Sequence, residues 1–224
     1  MKEVCDLFRI KICGIRLESD VDAVDRLGGD AIGLNFFSKS VRYLDPQLPG
    51  TRELSQHAAQ RGLMRVGVFV NESLAGIRST VQQVGLDAVQ LHGDESPDLA
   101  KQLRQAGYQV IRAVKLPRGP FPIDLAQQRC RPWLSEGCGL ILDADAGSAH
   151  GGSGKTLHWP SVRAWAQESP EVDWALAGGL RPENVAEAMS VSGARAVDTA
   201  SGVECPRGVK NADRIAAFVR AATV

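Results

Sequence analysis

Cys13, in the stretch KICGI, and Asp143, which closes LILD, are the residues whose type and placement most invite chemistry. A thiol acts as a base or nucleophile once its pKa allows the thiolate to form. Otherwise it is a small buried hydrophobe, since free cysteine is among the most buried residue types. A carboxylate directly after three apolar residues is costly to bury without a partner or a task; a loop N-cap or a solvated edge is the ordinary alternative. Held on two sides of a substrate, the pair would supply a base and an acid, as proton abstraction beside a carbonyl or imine requires. Cys5, Cys130, Cys138 and Cys205 lack the placement of Cys13 and read as inert.

Other candidates are binding groups. Gly178-Gly179-Leu180 and Ser201-Gly202-Val203 follow apolar runs, and such stretches either cradle phosphate on backbone N–H groups or only permit tight turns. Arg42, in FFSKSVRYL, is by default a solvated surface group, but its forked donors suit a planar carboxylate. His92, in QLHG, reads as a structural hydrogen-bonding histidine, and Asp145 as a weaker candidate than Asp143. The string AHGGSGKT, residues 149–156, ends like a nucleotide-binding loop but has Ala149 where that pattern wants its first glycine. A nucleotide loop also turns from strand directly into helix, whereas the next helical pattern here waits until about Trp159-Pro160. The stretch therefore reads as a glycine-hinged loop beside Asp143 that folds over a substrate to limit water access.

These residues need a frame. Eight short apolar runs recur along the chain: RIKICGI, DAIGLNF, MRVGVFV, DAVQLHG, QVIRAVKL, GLILDAD, WALAGGL and ARAVDTA. Their near-continuous apolarity is that of parallel strands covered on both faces. Amphipathic helical patterns lie between them: SDVDAVDRLGG has Ser19 and Asp20 placed to cap its start and Gly28 and Gly29 to stop it. Residues 117–137 are the hardest to read, because prolines interrupt the fifth unit. Eight strand–helix units without a linker predict a single (β/α)8 TIM barrel, class α/β, over residues 1–224, with an open doubly wound sheet as the alternative on pattern alone. In such a barrel the loops after the strands form the active face. The polar groups at the strand ends are then Cys13, Asn35, Arg42, Asn71, His92, Lys115, Asp143, Gly178-Gly179 and Asp198 through Gly202.

Composition narrows the partners. Acids and bases balance at 26 each and are interspersed, which favours neither nucleic acid nor a membrane surface. Five irregularly spaced cysteines argue for a reducing cytoplasm rather than a disulfide framework or zinc module. The N-terminal MKEVCDLFRI carries charges throughout and lacks the apolar run of a signal peptide. A cytoplasmic protein is expected.

The ordered set KICGI, GLNFFSKSVRYL, VGVFVN, VQLHG, LILDAD followed by GGSGKT, LAGGLRPENV and VDTASGVE resembles phosphoribosylanthranilate isomerases of tryptophan biosynthesis, from Lys11 to the last helix. The resemblance implies an Amadori rearrangement of N-(5-phosphoribosyl)anthranilate, a small phosphorylated substrate, without cofactor or metal, by a monomer or homodimer. By that resemblance Cys13 matches the general base that takes the proton from sugar C2, and Asp143 the general acid that protonates the ring oxygen. Arg42 matches the holder of the anthranilate carboxylate, and Gly179, Ser201 and Gly202 fall in the phosphate loops. Asp198 matches the family's polar residue at the eighth strand's end. The chain departs from the family pattern at Ala200, which replaces a serine, at Asn35, and at His158.

Overall fold

The computed structural model describes residues 7–145 and 156–223. Eight parallel strands close into a barrel in sequence order, each followed by a helix, so the open-sheet alternative is excluded. The strands are β1 (Ile10–Cys13), β2 (Ala31–Asn35), β3 (Met64–Phe69), β4 (Ala88–Leu91), β5 (Gln109–Leu116), β6 (Gly139–Ala144), β7 (Trp174–Leu176) and β8 (Val197–Thr199). The helices are α1 (Glu18–Leu27), α2 (Pro49–Gln60), α3 (Leu74–Val84), α4 (Pro97–Gln105), α5 (Ile123–Ser135), α6 (Trp159–Gln167), α7 (Val185–Ser192) and α8 (Ala212–Ala222). Closure rests on β1 pairing with both β2 and β8.

Two apolar layers follow from strand alternation, which sends successive side chains to opposite faces. Outward residues such as Ile12, Leu34, Leu91, Leu140 and Leu142 pack with helix residues including Val24, Ile77, Leu103, Val162, Trp165 and Phe218. Inward residues Ala31, Val66, Ala88, Ile111, Ile141, Ala175 and Ala196 form a separate cluster with Phe8. Many of these inward residues are alanines. The interior towards the strands' C-terminal ends is polar instead: Lys11, Gln90, Asp143 and Asp198 are all buried there.

Helix boundaries follow the capping chemistry in most units. Ser73 accepts from the Gly76 N–H, Ser96 from Leu99 and Asn211 from Arg214, each satisfying a first-turn donor. Gly28, Gly85 and Gly193 end their helices in the left-handed conformation. The start of α1 differs from expectation. It begins at Glu18 with Leu17 at the cap and no side-chain capping bond, so Ser19 and Asp20 lie inside the first turn. There an acidic group still suits the helix dipole. The fifth unit resolves as a helix that tolerates Pro132 within it. Residues 146–155, which carry most of AHGGSGKT, lie outside the described residues; α6 does begin at Trp159. No helix among the described residues is long and apolar enough to cross a membrane.

Candidate active site at the C-terminal mouth of the barrel

Cys13 ends β1 and is buried, with its side chain on the inward face together with Lys11 two residues earlier. Gly33, its registered neighbour on β2, makes room for it: a Cβ there would lie 2.6 Å from the Cys13 sulfur. Lys11 has no exposed surface, and its ammonium donates to Asp198 Oδ1 at 2.7 Å. Burial alone would strip its charge, but Asp198 and then Cys13 outweigh that penalty, and its pKa is raised. Burial pushes the Cys13 thiol up as well; Lys11, Lys210 and Arg42 oppose the shift, while Asp198 adds to it.

Asp143 stands near the end of β6, three strands round the barrel from β1 by way of β8 and β7. Its Oδ1 accepts from the Ala144 N–H at 2.8 Å. A side chain on Gly178 would intrude on that oxygen, its Cβ falling 2.8 Å away, and φ there is +84°. So the thiol and the carboxylate each occupy space that a glycine on a neighbouring segment leaves open. His92 does hydrogen-bond structurally, with Nδ1 3.1 Å from the Gln90 amide nitrogen. Its Nε2 stands 3.3 Å from Asp143 Oδ2, within ion-pair range but off the line of a hydrogen bond among the described residues. Asp145 sits one step beyond the strand, its backbone N–H held by the Leu116 carbonyl.

Arg42 is buried and closer to the thiol than its place in a long loop suggests. Its stem crosses Gly14, where any Cβ would collide with the Arg42 side-chain carbon Cδ. Both Nε and Nη2 donate to Glu204, at 2.6 and 2.7 Å. That occupies one edge of the guanidinium fork, and the Nη1/Nη2 edge is the one that remains for a second carboxylate. Glu204 also accepts from Lys210 at 2.8 Å and from the Gly208 N–H at 2.9 Å. Although burial opposes its ionisation, Arg42 and Lys210 hold the Glu204 carboxyl down at about 2.

The two glycine-bearing loops after β7 and β8 are in contact. Gly202 packs against the Leu180 carbonyl so closely that no side chain fits, and Thr199 donates its hydroxyl to the same carbonyl at 2.8 Å. Gly179 takes φ +65°, and its carbonyl accepts from Asn184 at 3.1 Å. Ser201 and Gly202 begin a single 3-10 turn, Ser201–Val203. Asn35 and His158, the departures noted above, have local tasks: Asn35 accepts from the Phe37 N–H at 2.9 Å to start its loop, and His158 caps α6.

Lys11, Gln90, Glu204 and Lys210 belong to this mouth and went unnoticed in the sequence reading. Lys11 carried a usable signal, a charge inside an apolar strand at same-face spacing from Cys13. Glu204 and Lys210 carried none, because only the folded loop brings them to Arg42. A second network braces the rim. Glu95 accepts from the Asn71 and Gly93 N–H groups, both at 2.8 Å, and from Arg112 at 2.6 Å, so one carboxylate ties the ends of β3 and β4 to β5.

Against known proteins, the family model described as N-(5'phosphoribosyl)anthranilate (PRA) isomerase matches residues 10–221. The N-(5'-phosphoribosyl)anthranilate isomerase of Myxococcus xanthus is 42% identical over 214 residues, covering 96% of this chain and 95% of that protein. The crystal structure of phosphoribosyl anthranilate isomerase from Thermotoga maritima is 32% identical with a TM-score of 0.83, covering 97% of this chain and 99% of that one. Another isomerase structure, in complex with reduced 1-(o-carboxyphenylamino)-1-deoxyribulose 5-phosphate, is 32% identical with a TM-score of 0.79, covering 97% and 99%.

Proposed function

Because the chain belongs to the N-(5'-phosphoribosyl)anthranilate isomerase family, we propose that Cys13 and Asp143 perform the proton transfers of that reaction in this protein. The enzyme converts N-(5-phosphoribosyl)anthranilate to 1-(2-carboxyphenylamino)-1-deoxyribulose 5-phosphate in tryptophan biosynthesis. The observation that carries the assignment is placement: two inward groups at the ends of β1 and β6, each in space cleared by a glycine.

In the proposed sequence Asp143, as general acid, gives a proton to the ring oxygen as the C1–O bond breaks and an N-protonated imine forms at C1. The Cys13 thiolate then takes the proton from C2, and the resulting enol-amine ketonises to the product, gaining a proton at C1 as the C2 hydroxyl loses its own. Acid–base help of this kind typically contributes about 10²- to 10⁴-fold. Lys11, Lys210 and Arg42 are the cations that favour the thiolate against the cost of burial.

Binding is assigned to the ends of the substrate. Gly179, Ser201 and Gly202 line the adjoining loops that receive the phosphate, the corner where barrels commonly hold one. Arg42 takes the anthranilate carboxylate with its Nη1/Nη2 edge. Asp198, tied to Lys11 through Oδ1, faces the substrate beside Cys13. Balanced, interspersed charge supports a small-molecule substrate rather than nucleic acid or a membrane surface. Family membership supports the rest of the reading: one catalytic domain, monomer or homodimer, working in the cytoplasm without a cofactor.

The test follows loss of phosphoribosylanthranilate fluorescence on addition of purified protein. Cys13→Ala and Asp143→Asn are each expected to lower kcat/KM at least 100-fold with unchanged circular dichroism. Near-normal turnover by either variant would remove that residue from its role.

A further inference from the structure

The mouth holds three buried charges, Arg42, Lys210 and Glu204, that neither give nor take a proton in the proposed reaction. Arg42 and Lys210 both contact Glu204, so two cations share one anion and the cluster carries one excess positive charge. The arrangement is built from two loops. Arg42 comes from the β2–α2 connection, and Glu204 and Lys210 from the β8–α8 connection, where they face each other across an isolated antiparallel bridge. Lys210 also donates to the Ala200 carbonyl at 2.8 Å, and the Gly208 N–H holds the second Glu204 oxygen at 2.9 Å. The carboxylate therefore has no freedom to turn.

A guanidinium gripped through Nε and Nη2 can rotate about none of its own bonds without breaking a charge-assisted pair. Its remaining edge is then fixed in direction. Free of Glu204, an arginine on this loop would have many rotamers and a lysine neighbour that repels it. Ordering such a side chain only when the ligand arrives costs affinity.

We propose that Glu204, backed by Lys210, is a positioning residue that gives this enzyme its selectivity for a ring carboxylate, by holding Arg42 with its Nη1/Nη2 edge towards the substrate. The proposal rests on the reading that Arg42 takes the anthranilate carboxylate. The excess positive charge supplies the attraction and Glu204 supplies the direction.

Two reduced, non-reacting product analogues distinguish the alternatives: one with the carboxyphenyl ring and one in which an unsubstituted phenyl ring replaces it. Their affinities are measured by calorimetry on the parent protein, on Glu204→Gln and on Lys210→Met. The parent is expected to prefer the carboxylated analogue. In Glu204→Gln that preference should fall roughly 10- to 100-fold, the scale of one lost charged hydrogen bond, while the phenyl analogue binds within about 2-fold of the parent. Lys210→Met, which removes the excess charge and leaves Glu204 on Arg42, should reduce the preference by a smaller factor and serves if the first variant does not fold. A variant that weakens both analogues equally, or keeps the parent's preference, overturns the role of Glu204 while leaving Arg42's intact. A parent without any preference overturns the Arg42 reading and the proposal together.

Discussion

Replacing Lys11 with methionine keeps most of the side chain's volume and removes one charge from the barrel interior. Lys11 has no exposed surface, and its counter-ion, Asp198 Oδ1 at 2.7 Å, is nearly as enclosed. Breaking a buried pair from one side strands the other charge and costs about 3–5 kcal/mol. Against a total stability of about 5–15 kcal/mol this is a large fraction. For a chain of this size it lowers Tm by about 6–20 °C. Asp198→Asn strands the ammonium and should cost a comparable amount. The double variant strands nothing, so it should recover most of the loss, with a coupling energy of about 2 kcal/mol or more. Urea denaturation of the parent, both single variants and the double variant closes the cycle. Additive losses, or a Lys11→Met protein as stable as the parent, would refute the argument that these two charges depend on each other. The same variant removes the largest cationic influence on Cys13, so alkylation of that thiol, followed peptide by peptide, should need higher pH than in the parent.

Two pH dependences follow from the shifts. Burial holds the Cys13 pKa above its usual value, so the thiolate fraction still grows through the alkaline range, and the rate of Cys13 alkylation should rise with pH there; a rate flat above neutrality would mean that the thiol is already ionised. The Glu204 carboxyl is depressed to about 2 in the folded protein. Its contribution, about 3 kcal/mol, is therefore complete above its unfolded pKa near 4.5 and is lost as pH falls from about 5 through 2. Acid titration of stability should show Glu204→Gln with a shallower decline than the parent over that window; identical slopes would contradict the depressed value.

The amino-acid sequence by itself determined eight parallel strand–helix units, while closure into a barrel rather than an open sheet was decided by the pairing of β1 with β8. Eight apolar runs such as MRVGVFV and GLILDAD are too continuous for half-exposed strands, and hydrophobic burial on both faces demands parallel strands wrapped by helices. Glycines after the helical patterns and caps such as Ser73 and Ser96 act within a few residues, so local chemistry made most boundaries legible. The cap of α1 was misplaced because a dipole-favoured acid inside the first turn reads much like a capping one. Cys13 and Asp143 were visible for a related reason: a strand's end is a local feature, and in a closed barrel every strand's end faces one mouth.

What only the tertiary structure decided is which charges share a site. Glu204 lies 162 residues from Arg42, and Asp198 lies 187 from Lys11. No spacing rule links positions so far apart. Closure of β1 on β8 brings them together, and burial then makes each partner obligatory, because an ammonium or a guanidinium taken out of water stays charged only beside its counter-ion.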